Sequence, residues 1–152
     1  MNKMKKLLCL FVSLIMILSF SACSMPIFKL LDDQAEKSDI ISYVKENEKL
    51  IVDCIAKKDY SQIKENDIVE DISADGDLIE FSCGGAGFGS ATSYCGFYYS
   101  PDDDMTKIWC GPSDNEPLVE SDKGYVWEQK DGDNTYYTEH ICGHFYYYKS
   151  TY

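Results

Sequence analysis

The two histidines of the chain alternate with a cysteine near the carboxyl end, at His140, Cys142 and His144. On a straight β-strand, residues two apart point to the same face, and imidazole and thiolate groups are good zinc ligands. Such residues are about 7 Å apart, so convergence on one ion would need a bend, such as a bulge at Gly143. We therefore interpret the histidines as surface or hydrogen-bonded groups, with a zinc site as the alternative.

A cysteine nucleophile is the second chemistry that these residues allow. One cysteine would have to be activated by His140 or His144, with Asp133 or Asn134 to orient the imidazole. No recognisable nucleophile signature surrounds any cysteine of the chain. A Cys/His metal-dependent hydrolase is therefore an alternative function, and we expect a non-enzymatic protein without a cofactor.

A glycine-rich segment, CGGAGFGSATS, occupies residues 83–93. Phosphate-binding loops use backbone amides at a helix N-terminus, usually with a lysine nearby. Here a strand pattern resumes at Tyr94, and the nearest lysines are Lys64 and Lys107. We expect residues 84–93 to form a mobile loop between two strands, where exposed amides beside Phe88 and Tyr94 could hold a peptide or a sugar.

Five cysteines follow residue 50, so they cannot all pair within the chain. Cys83 and Cys95 flank the glycine-rich segment, and a disulfide between them would close its base if their strands form a hairpin. Cys110 with Cys142 is a second candidate pair, and Cys54 is the candidate free thiol. In a reducing environment all five would instead be small buried hydrophobic residues.

The chain has twelve tyrosines, many of them adjacent in β-rich runs. Consecutive strand residues face opposite sides of a sheet, so both faces must carry tyrosines. One face can be buried under a helix, and the other could expose a tyrosine row of the kind enriched at binding interfaces. The candidate ligand contacts are Phe88, Tyr94, Tyr98, Tyr136 and Tyr146. The other interpretation, in which neighbouring side chains half-bury these rings, stays open.

The elements that would position these residues are one helix and several strands. Apolar residues keep helical spacing from Ile40 to Lys58, with Ser38 or Asp39 as the cap. Turn residues at 73–76, 100–103 and 130–134 separate β-rich runs and predict hairpins. The predicted strands are 68–72, 77–83, 94–100, 106–110, 124–129, 135–142 and 145–149. The expected fold class is α+β, with the amphipathic helix packed on an antiparallel β-sheet meander.

The N-terminus has the layout of a secretory signal: three lysines, an apolar run from Leu7 to Phe20, and small residues before Cys23. The junction at residues 19–23, SFSAC, resembles the lipobox of bacterial lipoproteins, although Phe20 stands where leucine is commonest. The resemblance implies a signal peptide over 1–22, a diacylated Cys23 with a membrane anchor segment over 23–37, and an extracytoplasmic domain over 38–152. A cleaved signal with a chance cysteine is the alternative.

The chain carries a formal net charge of −12 and contains no arginine. Nucleic acid is a poor partner for such a surface, because phosphate binding depends on clustered lysine and arginine. A strongly acidic surface favours neutral or cationic partners instead. Besides the membrane at its anchor, we therefore expect an envelope or secreted protein, a peptide or a glycan as the partner.

The stretch at residues 96–103, GFYYSPDD, together with the glycine-rich segment and residues 134–139, resembles a group of small uncharacterised proteins of Gram-positive bacteria. The resemblance implies a shared domain and no particular activity. We expect a lipid-anchored domain that binds its partner through the outer sheet face and residues 84–93. An immunity or inhibitor protein that neutralises a secreted toxin is an alternative, because it would suit the same acidic, tyrosine-rich surface.

Overall fold

A computed structural model describes residues 34–64, 67–88, 91–105 and 117–152 of the chain. The predicted signal peptide, the lipidation residue Cys23, Cys110 and the strand expected at 106–110 lie outside these residues. Helix α1 spans Lys37–Lys57 and the short helix α2 spans Ser61–Lys64. Within the described ranges, neither helix combines the length and the hydropathy that crossing a bilayer requires.

The predicted helix over 40–58 is present as α1. Its buried side chains, Ile40, Val44, Ile51 and Cys54, follow the helical period and form one apolar face. The helix begins at Lys37, before the expected caps Ser38 and Asp39, and its N-cap Glu36 makes no side-chain capping hydrogen bond. At the other end, Lys58 takes a left-handed conformation and its N–H closes the last turn.

In the described part of the chain, seven strands form one antiparallel sheet. They are β1 Asp71–Asp75, β2 Leu78–Phe88, β3 Ala91–Tyr99, β4 Val119–Glu120, β5 Gly124–Glu128, β6 Thr135–Cys142 and β7 Phe145–Thr151. The α+β class is therefore correct. The meander is wrong as a description of the whole sheet, because the order is β1-β2-β3-β7-β6-β5-β4 and β7 lies between β3 and β6. Pairing of β3 with β7 brings their aromatic residues together, as at Phe97 and Tyr147.

The glycine-rich segment is mostly strand. β2 continues to Phe88 and β3 begins at Ala91, so the expected loop over 84–93 is replaced by a long hairpin. A bulge at Cys83 and Gly84 makes this possible, with Gly84 at a φ of 102°. Further along, the ring of Tyr94 lies over Gly85, where a Cβ atom would come within 2.9 Å of it. The glycines therefore serve close packing within paired strands.

The first predicted strand, 68–72, is displaced toward the carboxyl end, to Asp71–Asp75. The turn that follows it is carried by Gly76, whose φ is 61°. The turn at 130–134 does join two paired strands, β5 and β6. At Ser100, the backbone carbonyl accepts a hydrogen bond from the N–H of Asp103 at 3.2 Å, as the predicted turn requires.

The main core lies between α1 and the sheet. Phe81 and Phe97 are fully buried and stack at a centroid distance of 4.5 Å, and Phe145 packs edge-on against Phe97. The thiols of Cys83 and Cys95 belong to the same cluster. Burial of these large aromatic rings supplies much of the hydrophobic stabilisation of the domain.

A second, smaller core lies on the opposite face of the sheet. It consists of Tyr98, Tyr136, Tyr146 and Tyr148, none more than 4 % exposed, packed against Leu78, Met105, Leu118 and Trp127. Of the two interpretations of these tyrosines, the described residues favour coverage by neighbouring side chains over an exposed row, and three of the five candidate ligand contacts are buried. The physical reason is that the rings are covered by side chains from two other strands, Leu78 and Trp127, and from two residues outside the strands, Met105 and Leu118. Strand alternation alone does not reveal this coverage.

Candidate functional site

The structure does not bring His140, Cys142 and His144 together. A β-bulge at Ile141 inserts one extra residue into β6, so that Cys142 pairs with Phe145 on the face toward α1 while His140 pairs with Tyr146 on the opposite face. Such a bulge reverses the side-chain alternation that the sequence argument assumed. No three His, Cys, Asp or Glu side chains within the described ranges are grouped as a metal ion would require.

Each histidine has another partner. The imidazole of His144 is hydrogen-bonded through Nδ1 to Asp103 Oδ1 at 2.7 Å, and His140 Nε2 lies 2.8 Å from the carbonyl oxygen of Gly143. Tyr146 also donates to Asp103, at 3.0 Å. This hydrogen bond, followed by the contact with His144, holds the pKa of Asp103 below its usual range despite slight desolvation. The hydrogen bonds of Asp103 with His144 and Tyr146 therefore connect the turn after β3 with the β6–β7 turn and the start of β7.

The Cys–His hydrolase hypothesis also conflicts with the geometry. Cys142 lies beside Glu48 and Lys45 of α1, and its burial, followed by the charge of Glu48, raises the pKa of the thiol. A raised pKa disfavours the thiolate that acts as the nucleophile. The proposed orienting residues, Asp133 and Asn134, precede β6 and so lie at the opposite end of this strand from the histidines.

The four described cysteines are free thiols. Cys83 and Cys95 are neighbours across the bulge, with Cys95 Sγ 3.9 Å from the carbonyl oxygen of Cys83. They are not bridged, and their thiols lie near different carbonyls, those of Phe81 and Ala35. Burial raises the pKa of both thiols. The Cys83–Cys95 disulfide remains a prediction for an oxidising compartment, and the Cys110–Cys142 pair lies partly outside the described residues.

Two of the candidate ligand contacts are exposed. Phe88, at the end of β2, is 86 % exposed, and Tyr94 is 44 % exposed with its ring 6.3 Å from that of Tyr152. In the strand register Phe88 pairs with Ala91, whereas Tyr94 pairs with Gly85. Phe88 and Tyr94 therefore lie on opposite faces of the hairpin and do not form one contact surface.

The described part of the chain contains a groove that the sequence did not indicate, at the β4 edge of the sheet. It has a volume of about 610 Å³ and is lined by Pro117, Val119, Glu120, Ser121, Val126, Trp127, Glu128 and Lys130. Val119 is 66 % exposed there. A second groove, of about 490 Å³, shares Ser121 and Val126 with the first and extends to Asp122, Lys123 and Tyr137.

Register explains why this surface is apolar and open. Val119 pairs with Val126, and Val126 pairs with Tyr137, so the three side chains form a row across β4, β5 and β6. This row lies on the same face as α1, which packs over β3, β6 and β7. The helix therefore covers the inner end of the row, at Tyr137, and leaves the outer end at Val119 exposed to solvent.

At the inner end of the row, a lysine, a carboxylate and two tyrosines form a compact cluster. Lys37 Nζ lies 2.8 Å from Glu139 Oε1 and also faces the rings of Tyr137 and Tyr147, at 4.7 and 5.1 Å from their centroids. The hydroxyl of Tyr137 donates a short hydrogen bond to Glu139 Oε2. We call Glu139, Tyr137 and Tyr147 the cation cage.

The electrostatics of the cage follow from burial and pairing. Glu139 is only 6 % exposed, and this burial by itself would raise its pKa. Hydrogen bonds from Lys37 and Tyr137, together with the positive charges of Lys37 and Lys123, outweigh the burial and lower the pKa of Glu139. Burial and the hydrogen bond to Glu139 raise the pKa of Tyr137 to about 12. The carboxylate is therefore ionised at neutral pH and the phenol is not.

None of the candidate site residues predicted from the sequence belongs to this cluster. Residues 23–37 were assigned to the anchor segment, yet Ala35 N–H donates to the carbonyl of Cys83 at 3.1 Å and Lys37 is the first residue of α1. One signal was present: Glu139 alternates with Tyr137 and Ile141 on the helix-facing side of β6. A carboxylate at such a position requires a charged or hydrogen-bonding partner.

Comparisons of the chain with protein-family models, with curated proteins and with solved structures found no match.

Proposed function

We propose that this chain is a lipid-anchored, extracytoplasmic domain that binds an extended, basic segment of a protein partner along the β4 edge of its sheet. The observation that carries the proposal is the apolar groove beside β4, with Val119 exposed at its rim. Ligand grooves combine an apolar lining with a few polar groups that orient the ligand. Here Val119 and Val126 supply apolar surface, and Glu120 and Glu128 supply charge.

An extended peptide suits this position because β4 is the terminal strand of the sheet. Across the described ranges, no strand pairs with the outer side of β4. A terminal strand offers backbone N–H and C=O groups to which a peptide can add as a further strand, while side-chain pockets select every second residue. The side chain of Val119 lies at the rim of the groove, where it would contact one of these selected side chains.

Charge supports a basic partner. The chain has 26 acidic residues and a net charge of −12, and Glu120, Glu128 and Asp122 line the two grooves against Lys123 and Lys130. An acidic surface speeds the approach of cationic partners and disfavours acidic ones. A basic segment with alternating apolar residues would therefore satisfy both the groove and the charge.

Localisation is the second part of the proposal. The lipobox resemblance at residues 19–23 supports diacylation of Cys23, which would hold the domain at the outer side of the cell membrane. Radiolabelled palmitate should appear on the chain and be absent from a Cys23→Ala variant. Equal labelling of the two, or no labelling of either, would contradict the anchor and leave the groove proposal unaffected.

The groove is tested with a display library of unconstrained nonapeptides selected on the purified domain. We expect enriched peptides that combine lysine or arginine with alternating apolar residues. Val119→Lys should abolish their binding, because it places a positive charge in the apolar rim and repels a basic peptide. Val52→Lys is the matched control, since Val52 is 40 % exposed on α1, away from the groove. The proposal would be overturned if the peptides bound both variants equally. It would also be overturned if the domain selected no peptide but bound specific glycans on an array.

A further inference from the structure

The cage binds the ammonium group of Lys37 as it would bind a ligand. Its ammonium group contacts one carboxylate and two aromatic faces, the combination by which proteins recognise alkylammonium groups. The acceptor side is buried, because the Glu139 side chain is 8 % exposed, whereas the Lys37 side chain is 42 % exposed. The cage is thus a fixed part of the sheet, and the cation is a half-exposed side chain from the first residue of α1.

The cage also adjoins the proposed binding surface. Tyr137 contributes its ring to the cage and also lines the second groove beside Val126. Gly124 pairs directly with Glu139 across β5 and β6, so β5 places no side chain next to the carboxylate. A chain lying in the grooves could therefore direct a side chain toward Glu139 from the β5 side.

We propose that Glu139, Tyr137 and Tyr147 form a recognition site for a primary ammonium group, which Lys37 fills in the isolated chain and which a lysine of the partner segment takes over. The identity of the partner's residue rests on the proposed function. The ammonium site itself does not, because it is defined by the contacts that Lys37 makes. Exchange of one ammonium group for another leaves the buried carboxylate paired throughout, so no uncompensated charge has to be buried.

Removal of the internal cation provides the first test. In Lys37→Ala, n-propylammonium should raise the melting temperature in a saturable manner, because it replaces the missing part of the side chain. The wild type and Lys49→Ala, which loses an exposed lysine on the same helix, should show no saturable rise. The neutral analogue n-propanol should have no effect on Lys37→Ala. Rescue that is absent, or equal in Lys49→Ala, would overturn the proposal.

The carboxylate provides the second test. In Lys37→Ala/Glu139→Gln, the affinity for n-propylammonium should fall at least about tenfold, because a charge-assisted hydrogen bond is lost. Retained affinity would mean that the amine binds elsewhere, which would contradict the cage. These measurements use no partner peptide, so they can fail while the Val119 experiment succeeds, and the reverse is also true.

Displacement of Lys37 from the cage by a lysine peptide is measured on the wild-type chain. This measurement does not depend on the folding of any variant. With lysines carrying ¹³C at Cε, the Lys37 resonance should be shifted by the ring currents of Tyr137 and Tyr147. Saturation with acetyl-Val-Lys-Val-amide should move it toward the position of a free lysine, whereas acetyl-Val-Gln-Val-amide should not. A Lys37 resonance that stays in place while the lysine peptide binds would refute the exchange.

Discussion

The ion pair between Lys37 and Glu139 should contribute measurably to folding, and Glu139→Gln isolates that contribution. Glutamine keeps the size of the side chain and can still accept a hydrogen bond from Tyr137, but it removes the charge that Lys37 and the hydroxyl of Tyr137 stabilise. The substitution therefore changes the electrostatics of the cage and leaves its packing almost unaltered.

The expected loss in free energy of unfolding follows from the unequal burial of Lys37 and Glu139. Breaking a fully buried ion pair costs about 3–5 kcal/mol, and an exposed pair contributes about 0–1 kcal/mol. Glu139 is buried, but the side chain of Lys37 is 42 % exposed and water can solvate its charge once the carboxylate is gone. We expect Glu139→Gln to lower the free energy of unfolding by about 2 kcal/mol at pH 7. For a domain of this size, that corresponds to a fall of about 8 °C in melting temperature.

The pH dependence distinguishes an electrostatic effect from a packing effect. Because the pKa of Glu139 is lowered on folding, its contribution is fully present above the ordinary glutamate value of 4.5. It is lost as the pH falls through the lowered pKa, where the folded state takes up the proton. The difference in stability between wild type and Glu139→Gln should therefore be constant from pH 7 to about 5 and shrink as the pH falls further.

Urea denaturation of both chains at pH 7, 5, 4 and 3, followed by circular dichroism, measures this difference. Glu128→Gln, which removes an exposed acidic charge from β5, is the matched control and should change stability by less than about 0.5 kcal/mol. The reasoning is refuted if Glu139→Gln matches this control at pH 7. It is refuted equally if the difference persists unchanged at pH 3, because a packing defect does not titrate.

Three further substitutions test the packing of the sheet, each by urea denaturation at pH 7. Thr138→Val keeps the shape of a fully buried side chain but removes its hydrogen bonds to Tyr98 at 2.7 Å and to the carbonyl of Tyr147 at 2.9 Å, and should cost about 1–3 kcal/mol. No loss would contradict a stabilising role for these two bonds. Phe97→Ala deletes a ring stacked on Phe81 and should cost about 3–5 kcal/mol, so a smaller loss would contradict the tight core. Gly124→Ala would bring a Cβ within 1.9 Å of the Thr138 carbonyl oxygen and should destabilise the fold more than either of the other two substitutions. An unchanged urea midpoint for this variant would disprove the close approach.

Several of the elements are local properties of the sequence. The helical spacing of Ile40, Val44 and Ile51 predicts α1, since a 3.6-residue period is set by the residues of the helix alone. The same holds for β6 and for the turn at 130–134, where alternation and turn residues are sufficient. The acidic charge, the apolar run at 7–20 and the lipobox resemblance are equally features of the sequence.

Other features depend on contacts between residues far apart in the chain, and these decided the candidate site. Strand order placed β7 beside β3, and one extra residue at Ile141 turned Cys142 away from His140. Coverage by distant side chains buried Tyr98 and its neighbours, because alternation specifies a face of the sheet but not what packs on it. The pairing of Lys37 with Glu139 required α1 to lie across β6, so only the tertiary structure, which brings distant segments within a few ångströms, could produce the cage.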